Sequence, residues 1–372
     1  MNELRHKIGR EIASSGPIPF SRYMALCLYD PEFGYYARNA SQFGKAGDFY
    51  TSSDVHAVFG RLLARQFDEM WHVLGSPGRI LLRELGPGRG LFAQDVLDWS
   101  EKKFPDFFRA VEYELIEQSP RLRERIEQTL VRHFASGKAS FAANSNNLPT
   151  LLFANELFDA VPVEILSSQG SLRIDTQHGR FTERWATPSP EELEYMDRYS
   201  VQPEAGERLE VPLQSQKEML AATNFNCGFL IVIDYGYTRD EQLAGRHRGT
   251  LKAIRQHSVS ANPYEAPGEQ DITADVNFTA LAAAAAKRGF YAHKPITQTQ
   301  FLMGIGEANQ FADAFEECRL PQEQAKVALQ LKHLVTPAGM GESFHVLIAS
   351  NNVDSECASK LAGVSFGRGF RS

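Results

Sequence analysis

An apolar run, a glycine turn and an amphipathic stretch follow one another without a break between residues 79 and 103. Arg79-Ile-Leu-Leu-Arg83 reads as a buried strand, Glu84-Leu-Gly-Pro-Gly-Arg-Gly90 as a tight turn, and residues 91–103 as a helix. A strand that ends in such a turn brings backbone N–H groups and a helix start to one point, which is how nucleotide-like ligands are held in α/β folds. Seventy residues on, the apolar run Leu151-Leu-Phe-Ala154 ends in Asn155-Glu-Leu-Phe-Asp159, placing two carboxylates and an amide at the end of another buried strand. The two segments together predict a cofactor pocket with reactive groups beside it.

The rest of the chain supports a doubly wound, mostly parallel sheet. Strands are expected near 79–85, 112–116, 151–154, 229–234, 290–295 and 343–349, and helices near 91–103, 119–134 and 276–288. Alternation of this kind builds a parallel sheet with helices on its faces. The helix near 276–288 is expected to be capped by Thr273 or Asp275 and to stop at Gly289. Residues 55–74 repeat apolar side chains at helical spacing: Val58, Phe59, Leu62, Leu63, Phe67, Met70, Trp71 and Leu74. Residues 1–29 are expected to be helical, whereas Pro31–Tyr36 and Gly44–Ser53 are expected to form loops over the core.

Two insertions interrupt the alternation. Residues 161–186 alternate apolar and polar around Gly170 and Gly179, predicting a small antiparallel meander. Residues 188–210 carry seven acids and two arginines, which reads as a solvated helical face or a surface for a basic partner. Residues 299–335 are expected to be helical. The expected organisation is an N-terminal helical and loop cover over 1–54, a core over 55–160 and 226–350, an insertion over 161–225, and a small polar tail over 351–372.

Composition narrows the function. A formal net charge of −7 without a basic block argues against nucleic acid or anionic membrane as a main partner. The four cysteines are far apart and form no C-x-x-C, so no disulfide framework or metal site is expected. No apolar run approaches a membrane span, and the acids Glu3 and Glu11 interrupt the basic residues of the N-terminus. The expectation is a cytoplasmic enzyme.

The turn itself discriminates among cofactors. A dinucleotide fingerprint would need a third glycine where Leu91 stands, and a P-loop would need Gly-Lys-Ser/Thr. An acid just before G-x-G-x-G is the usual opening of an S-adenosylmethionine pocket, with Gly86, Gly88 and Gly90 admitting the ligand and Glu84 facing its ammonium group. A turn without ligand is the alternative. Glu117, at the end of the next strand, is a candidate for the ribose hydroxyls with Gln118 beside it; it is otherwise a helix-start acid before Ser119-Pro120. Asn146 and Asn147 are either adenine contacts or turn residues. Gly363-Val-Ser-Phe-Gly367 matches a hydrolase elbow by chance, since only five residues follow it.

Eight segments resemble the MidA family of S-adenosylmethionine-dependent methyltransferases, which includes a mitochondrial complex I assembly factor with arginine methyltransferase activity. They are Gly47-Asp-Phe-Tyr-Thr51, Glu84–Gly90, Asn155-Glu-Leu-Phe-Asp-Ala-Val-Pro162, Val232-Ile-Asp-Tyr-Gly-Tyr237, Gly249-Thr-Leu251, Pro267–Ala274, Thr299-Gln-Phe-Leu302 and Met340-Gly-Glu342. The resemblance implies a seven-stranded class I methyltransferase sheet, S-adenosylmethionine as cofactor, and a protein substrate such as a respiratory complex subunit. It adds Asp48 and Thr51 to the cofactor candidates.

In the class I strand order the first and fourth strands are neighbours, which would bring Gly86–Gly90 and Asn155–Asp159 to one crevice. Carboxylates can hold a guanidinium by paired hydrogen bonds and accept its proton. Glu156 and Asp159 are therefore the candidate catalytic residues, with Asn155 holding the strand end; capping of a following helix is the alternative. Asp234, Tyr235 and Asp271 are further candidates on the acceptor side. A binding or assembly protein that keeps the cofactor fold is the alternative function. Oligomerisation is open.

Overall fold

The computed structural model describes residues 2–38, 57–142, 147–255, 258–260 and 262–366. Its chain divides into two units: residues 1–49, 157–221 and 236–284 form the first, and residues 50–156, 222–235 and 285–372 the second. Segment 236–284, read from sequence as core, thus falls in the first unit together with the N-terminal segment and the insertion.

The second unit is built on the central sheet. Its strands are β1 (Ile80–Leu85), β2 (Val111–Ile116), β3 (Ala139–Ser140), β4 (Thr150–Asn155), β5 (Gly228–Tyr237), β6 (Val276–Asn277), β7 (Tyr291–Ala292), β8 (Ile296–Thr297) and β9 (Phe344–Asn351). They run in the order β7-β9-β5-β4-β1-β2-β3, with β8 also on β9 and β6 on β5. Strands β3, β2, β1, β4 and β5 are mutually parallel, whereas β9 runs antiparallel to β5.

The sheet is therefore mixed and has nine strands where seven were expected, with β9 alone running against the otherwise parallel strands. The expected strand 290–295 is two short pieces, β7 and β8, on either side of Pro295, which has no N–H to give to a ladder. Gly236 and Tyr237, the last residues of β5, belong to the first unit and pair there in parallel with β6.

Burial explains the parallel strands. Leu81, Leu82, Leu151 to Ala154 and Phe229 to Ile233 are all nearly inaccessible, the run of apolar residues that a sheet covered on both faces requires. Helix Ala57–Val73 buries Phe59, Leu62, Leu63, Phe67 and Met70, the stripe read from sequence. Helix Leu91–Lys103 forms over the expected residues, and the expected helix 119–134 is split into Pro120–Thr129 and Val131–Ala135. The helix expected at 276–288 is Phe278–Ala286. Its cap is Asn277, whose Oδ1 accepts from Ala280 N–H at 3.1 Å, and not Thr273 or Asp275.

Within residues 351–366 the small polar tail forms two short helices. Asp354 caps helix Ser355–Ser359, while Ala358, Leu361 and Val364 are buried and Gly363 N–H donates to Gln66 Oε1 at 2.9 Å. Small residues here serve close packing on helix Ala57–Val73.

The first unit holds a five-stranded antiparallel sheet containing the expected meander, Glu164–Ser167, Gly170–Gln177 and Arg180–Ala186, with Leu209–Val211 and Ile18–Pro19 at its edges. A three-stranded sheet is formed by Lys252–Arg255, Ser258–Ser260 and Asp271–Thr273. Helices Glu3–Ser15 and Phe20–Tyr29 pack Leu4, Ile8, Phe20, Tyr23 and Met24 against Ile165, Leu172, Ile174 and Ile272. The acidic stretch is not one solvated face: Glu192 closes a capping box with Ser189, and Glu192 and Glu210 are both buried.

Candidate functional site

Parallel pairing fixes which strand ends meet. Leu85 of β1 lies opposite Ile116 of β2 and Ala154 of β4, and Asn155 of β4 lies opposite Ile233 of β5. The C-terminal ends of four neighbouring strands therefore present Glu117, Glu84 to Gly90, Asn155-Glu156 and Asp234-Tyr235 along one edge of the second unit. Open α/β sheets bind ligands at this edge.

The glycine turn is built around positive φ. Gly86, Gly88 and Gly90 have φ of +63°, +54° and +76°, a region that side chains with a Cβ adopt at a cost. Gly86 N–H donates to Ile116 O at 3.1 Å and Gly90 N–H to Pro87 O at 2.8 Å, so the loop is pinned at both ends. A Cβ at Gly88 would meet nothing within 4 Å, leaving that face of the loop open for an approaching ligand.

Glu84 is 4% exposed, and its one hydrogen-bond donor among the described residues is Tyr113 Oη, 2.8 Å from Oε2. Tyr113 sits opposite Leu82, two residues before Glu84, so its long ring reaches diagonally along the same face of the sheet. Burial pushes the Glu84 carboxyl up to about 8, against the smaller opposing effect of the Tyr113 hydrogen bond. A carboxylate this buried with one neutral donor is suited to a cationic ligand.

Glu117 is half-buried. Its Oε1 accepts from Ser119 N–H at 2.8 Å, and burial raises its carboxyl despite that bond and a contact with the Gln118 backbone. The helix-start role is therefore realised, at the end of β2 where a ribose would also be met. Gln118 and Asn147 are exposed, and Asn147 has φ +75° in a turn before β4. Asn146, Asp48 and Thr51 lie outside the described residues.

At the end of β4, Glu156 has φ +50°, a left-handed conformation unusual for a residue other than glycine or asparagine. Its N–H donates to Ile233 O at 2.9 Å, and Asn155 Nδ2 donates to Glu156 Oε1 at 3.0 Å. The next element is a single 3-10 turn, Phe158–Ala160, with no side-chain cap. Helix capping thus does not account for Asn155, Glu156 or Asp159. Asp234 is fully buried and its Oδ1 accepts from Tyr235 N–H at 2.9 Å, while the Tyr235 ring lies 3.9 Å from that of Phe344.

Asp271 is placed differently from the other acceptor-side candidates. It opens the strand Asp271–Thr273 of the first unit, and Ala274 just beyond that strand donates its N–H to Asp159 O at 2.9 Å. Tyr36 Oη lies 3.4 Å from Asp271 Oδ1. Sequence reasoning passed over Tyr36 and Tyr113; the signals were the paired Tyr35-Tyr36 behind Gly34 and the i, i+2 relation across β1 and β2. Among the described residues no group of three side chains is arranged to hold a metal ion, and no helix is long and apolar enough to cross a membrane.

Comparison with known proteins identifies the cofactor. The mitochondrial protein arginine methyltransferase NDUFAF7 homolog of Drosophila melanogaster is 30% identical, over 92% of this chain and 84% of that protein. The human mitochondrial protein arginine methyltransferase NDUFAF7 is 28% identical, over 92% and 82%. A Burkholderia thailandensis protein crystallised with S-adenosyl-homocysteine superposes with a TM-score of 0.79 at 26% identity, covering 97% of this chain and 94% of that one. These relatives overturn the cytoplasmic expectation, since both named enzymes are mitochondrial. That expectation rested on scattered cysteines, the absence of a long apolar run and the acids among the N-terminal basic residues, none of which distinguishes one reducing compartment from another.

A family model for S-adenosyl-L-methionine-dependent methyltransferases matches residues 62–296, spanning β1, the glycine turn, β4 and β5. The chain belongs to this family and is an S-adenosyl-L-methionine-dependent methyltransferase.

Proposed function

We propose that this enzyme methylates a guanidinium nitrogen of a protein arginine. The observation that carries the reading is the end of β4, where Glu156 stands in a left-handed backbone beside the glycine-turn strand with no helix to cap. Strained backbone at a strand end persists where the surrounding structure over-determines it, and such residues cluster at functional sites. The names of the Drosophila and human relatives support arginine as the acceptor.

The residues present fit the cofactor. Glu84 would hold its ammonium group, the turn Gly86–Gly90 would approach its amino-acid end, and Glu117 with Gln118 would meet the ribose. Bound there, the cofactor supplies an electrophilic methyl group. The chain's own task is to orient the acceptor and take a proton. A guanidinium stays protonated at neutral pH, so its attacking nitrogen must be singled out by polarising the others. Glu156 and Asp159 do this by charge-assisted hydrogen bonds, and one of them accepts the proton that the nitrogen loses. Asn155, donating to Glu156, fixes the carboxylate's orientation.

Transfer of labelled methyl groups into protein, with identification of the modified residue, tests the reading. Glu156→Gln and Asp159→Asn each keep size but remove charge. Transfer should fall by ~10²-fold or more while cofactor affinity stays within a few-fold, as expected for lost positioning and proton acceptance. Replacing the acceptor arginine by lysine should stop it. Label appearing on a residue other than arginine would refute the proposal, as would full activity in both variants.

A further inference from the structure

The motif Asp30-Pro-Glu-Phe-Gly-Tyr-Tyr36 has no part in the cofactor edge, yet the fold spends specific interactions on it. Asp30 Oδ1 accepts from the N–H groups of Glu32 and Phe33 at 3.1 and 3.0 Å, and Lys7 pairs with the same carboxylate. A Cβ at Gly34 would lie 2.5 Å from Asp30 N, so the turn closes only with glycine there. The chain then reverses into the short helix Tyr35–Arg38.

The reversal stacks Tyr36 on Tyr29, with ring centroids 5.3 Å apart and planes at 26°, while Tyr35 meets Tyr36 edge-on at 5.4 Å. Tyr29 is 46% exposed and donates through its hydroxyl to Ala160 O at 2.9 Å, which ties the ring to the turn bearing Asp159. Tyr36 reaches Asp271, whose strand leads into the Ala274 N–H bond to Asp159 O. The electrostatics agree: the Tyr36 hydroxyl is raised well above its ordinary value by burial first, then by Asp271, Tyr29 and Asp159. The Asp271 carboxylate thus meets one stacked tyrosine pair, and the backbone of Asp159 is tied to the same strand through Ala274.

We propose that Tyr29 and Tyr36, with Asp159 and Asp271, form a cradle that selects a guanidinium over an ammonium group. A guanidinium offers a flat face to an aromatic ring and N–H edges to carboxylates at the same time, whereas an ammonium is a compact point charge. The tyrosines are specificity residues, and the cradle rests on the reading of arginine as acceptor.

The test is a calorimetric titration of ethylguanidinium, and separately of butylammonium, into the full-length protein saturated with S-adenosylhomocysteine. Ethylguanidinium should bind at least tenfold more tightly than butylammonium. Tyr29→Leu should weaken ethylguanidinium by about tenfold, the range of a partly desolvated cation–aromatic contact, and leave S-adenosylhomocysteine affinity within twofold. Tyr36→Phe, which keeps the ring and removes the link to Asp271, should weaken it less. Equal binding of the two cations, unchanged guanidinium affinity in Tyr29→Leu, or loss of S-adenosylhomocysteine along with it would each overturn the cradle. The readout needs no methyl transfer, so guanidinium binding without arginine methylation would sink only the proposed acceptor, and the converse only the cradle.

Discussion

Two of the glycine motifs in this chain accompany a buried glutamate, and the two glutamates are used in opposite ways. Glu84, before the Gly86–Gly90 turn, has one donor among the described residues, and a Cβ at Gly88 would meet nothing within 4 Å. Glu210, 2% exposed, lies beside Gly249-Thr-Leu251 and accepts from Thr250 N–H, Thr250 Oγ1 and Leu251 N–H at 2.9, 3.2 and 2.9 Å. Burial raises both carboxyls, but at Glu210 hydrogen bonds from Leu251 and Thr250 oppose it. A buried carboxylate with its acceptor capacity used is part of the scaffold. One left with a single neutral donor is shaped for a partner that arrives later.

The sharpest way to break this contrast is at Gly88. Gly88→Val forces a β-branched residue to φ +54° and fills the open face of the loop. Calorimetry should detect no S-adenosylmethionine binding, whereas the ligand-free protein should stay folded and melt only modestly earlier, by the backbone strain alone. Retained binding would mean that the open face is not where the cofactor lies.

Glu210→Gln should give the converse result. The amide keeps one oxygen for the Thr250 and Leu251 N–H groups but turns the oxygen facing Thr250 Oγ1 into a donor, so that buried bond must be broken or reversed at a cost of about 1–3 kcal/mol in denaturant unfolding. Cofactor affinity should not move. A stable variant with weakened cofactor binding would erase the distinction between the two glutamates.

The third test is pH dependence. The folded-state pKa of Glu84, about 8, lies above its ordinary 4.5, so the folded protein keeps a proton that the unfolded chain releases. The associated stability is complete below 4.5 and is lost as pH rises through about 8. A cationic ammonium group needs the ionised carboxylate, so binding below about pH 8 must expel the proton. The dissociation constant should therefore fall by up to about tenfold per unit between roughly pH 6 and 8, then level off. Heats measured in buffers of different ionisation enthalpy should show the proton released, and Glu84→Gln should abolish both effects. A flat profile in the native protein would show that Glu84 does not meet the ammonium group.

Smallest is Glu117→Ala, which should weaken cofactor affinity by roughly 1–3 kcal/mol without a large change in turnover at saturating cofactor. An unchanged dissociation constant would reduce Glu117 to its bond with Ser119.

Most of what was legible in the sequence is local. The strand–turn–helix at 79–103 was read almost to the residue, because apolar run, glycines and helical stripe all act within one segment. Neighbouring placement of β1 and β4 followed from the strand order that the family resemblance implied. Composition misled where packing outranks polarity, as in the ordered tail that fits against helix Ala57–Val73 and in the buried acids Glu192 and Glu210.

The sequence by itself determined the cofactor turn and the carboxylates at the strand ends, since each is a short-range pattern with its own backbone requirement. Only the tertiary structure decided what those carboxylates face. Tyr113 reaches Glu84 from 29 residues away, and Tyr36 reaches Asp271 from 235. Whether a buried acid is satisfied or left waiting depends on donors supplied by distant segments, and no local periodicity encodes that count.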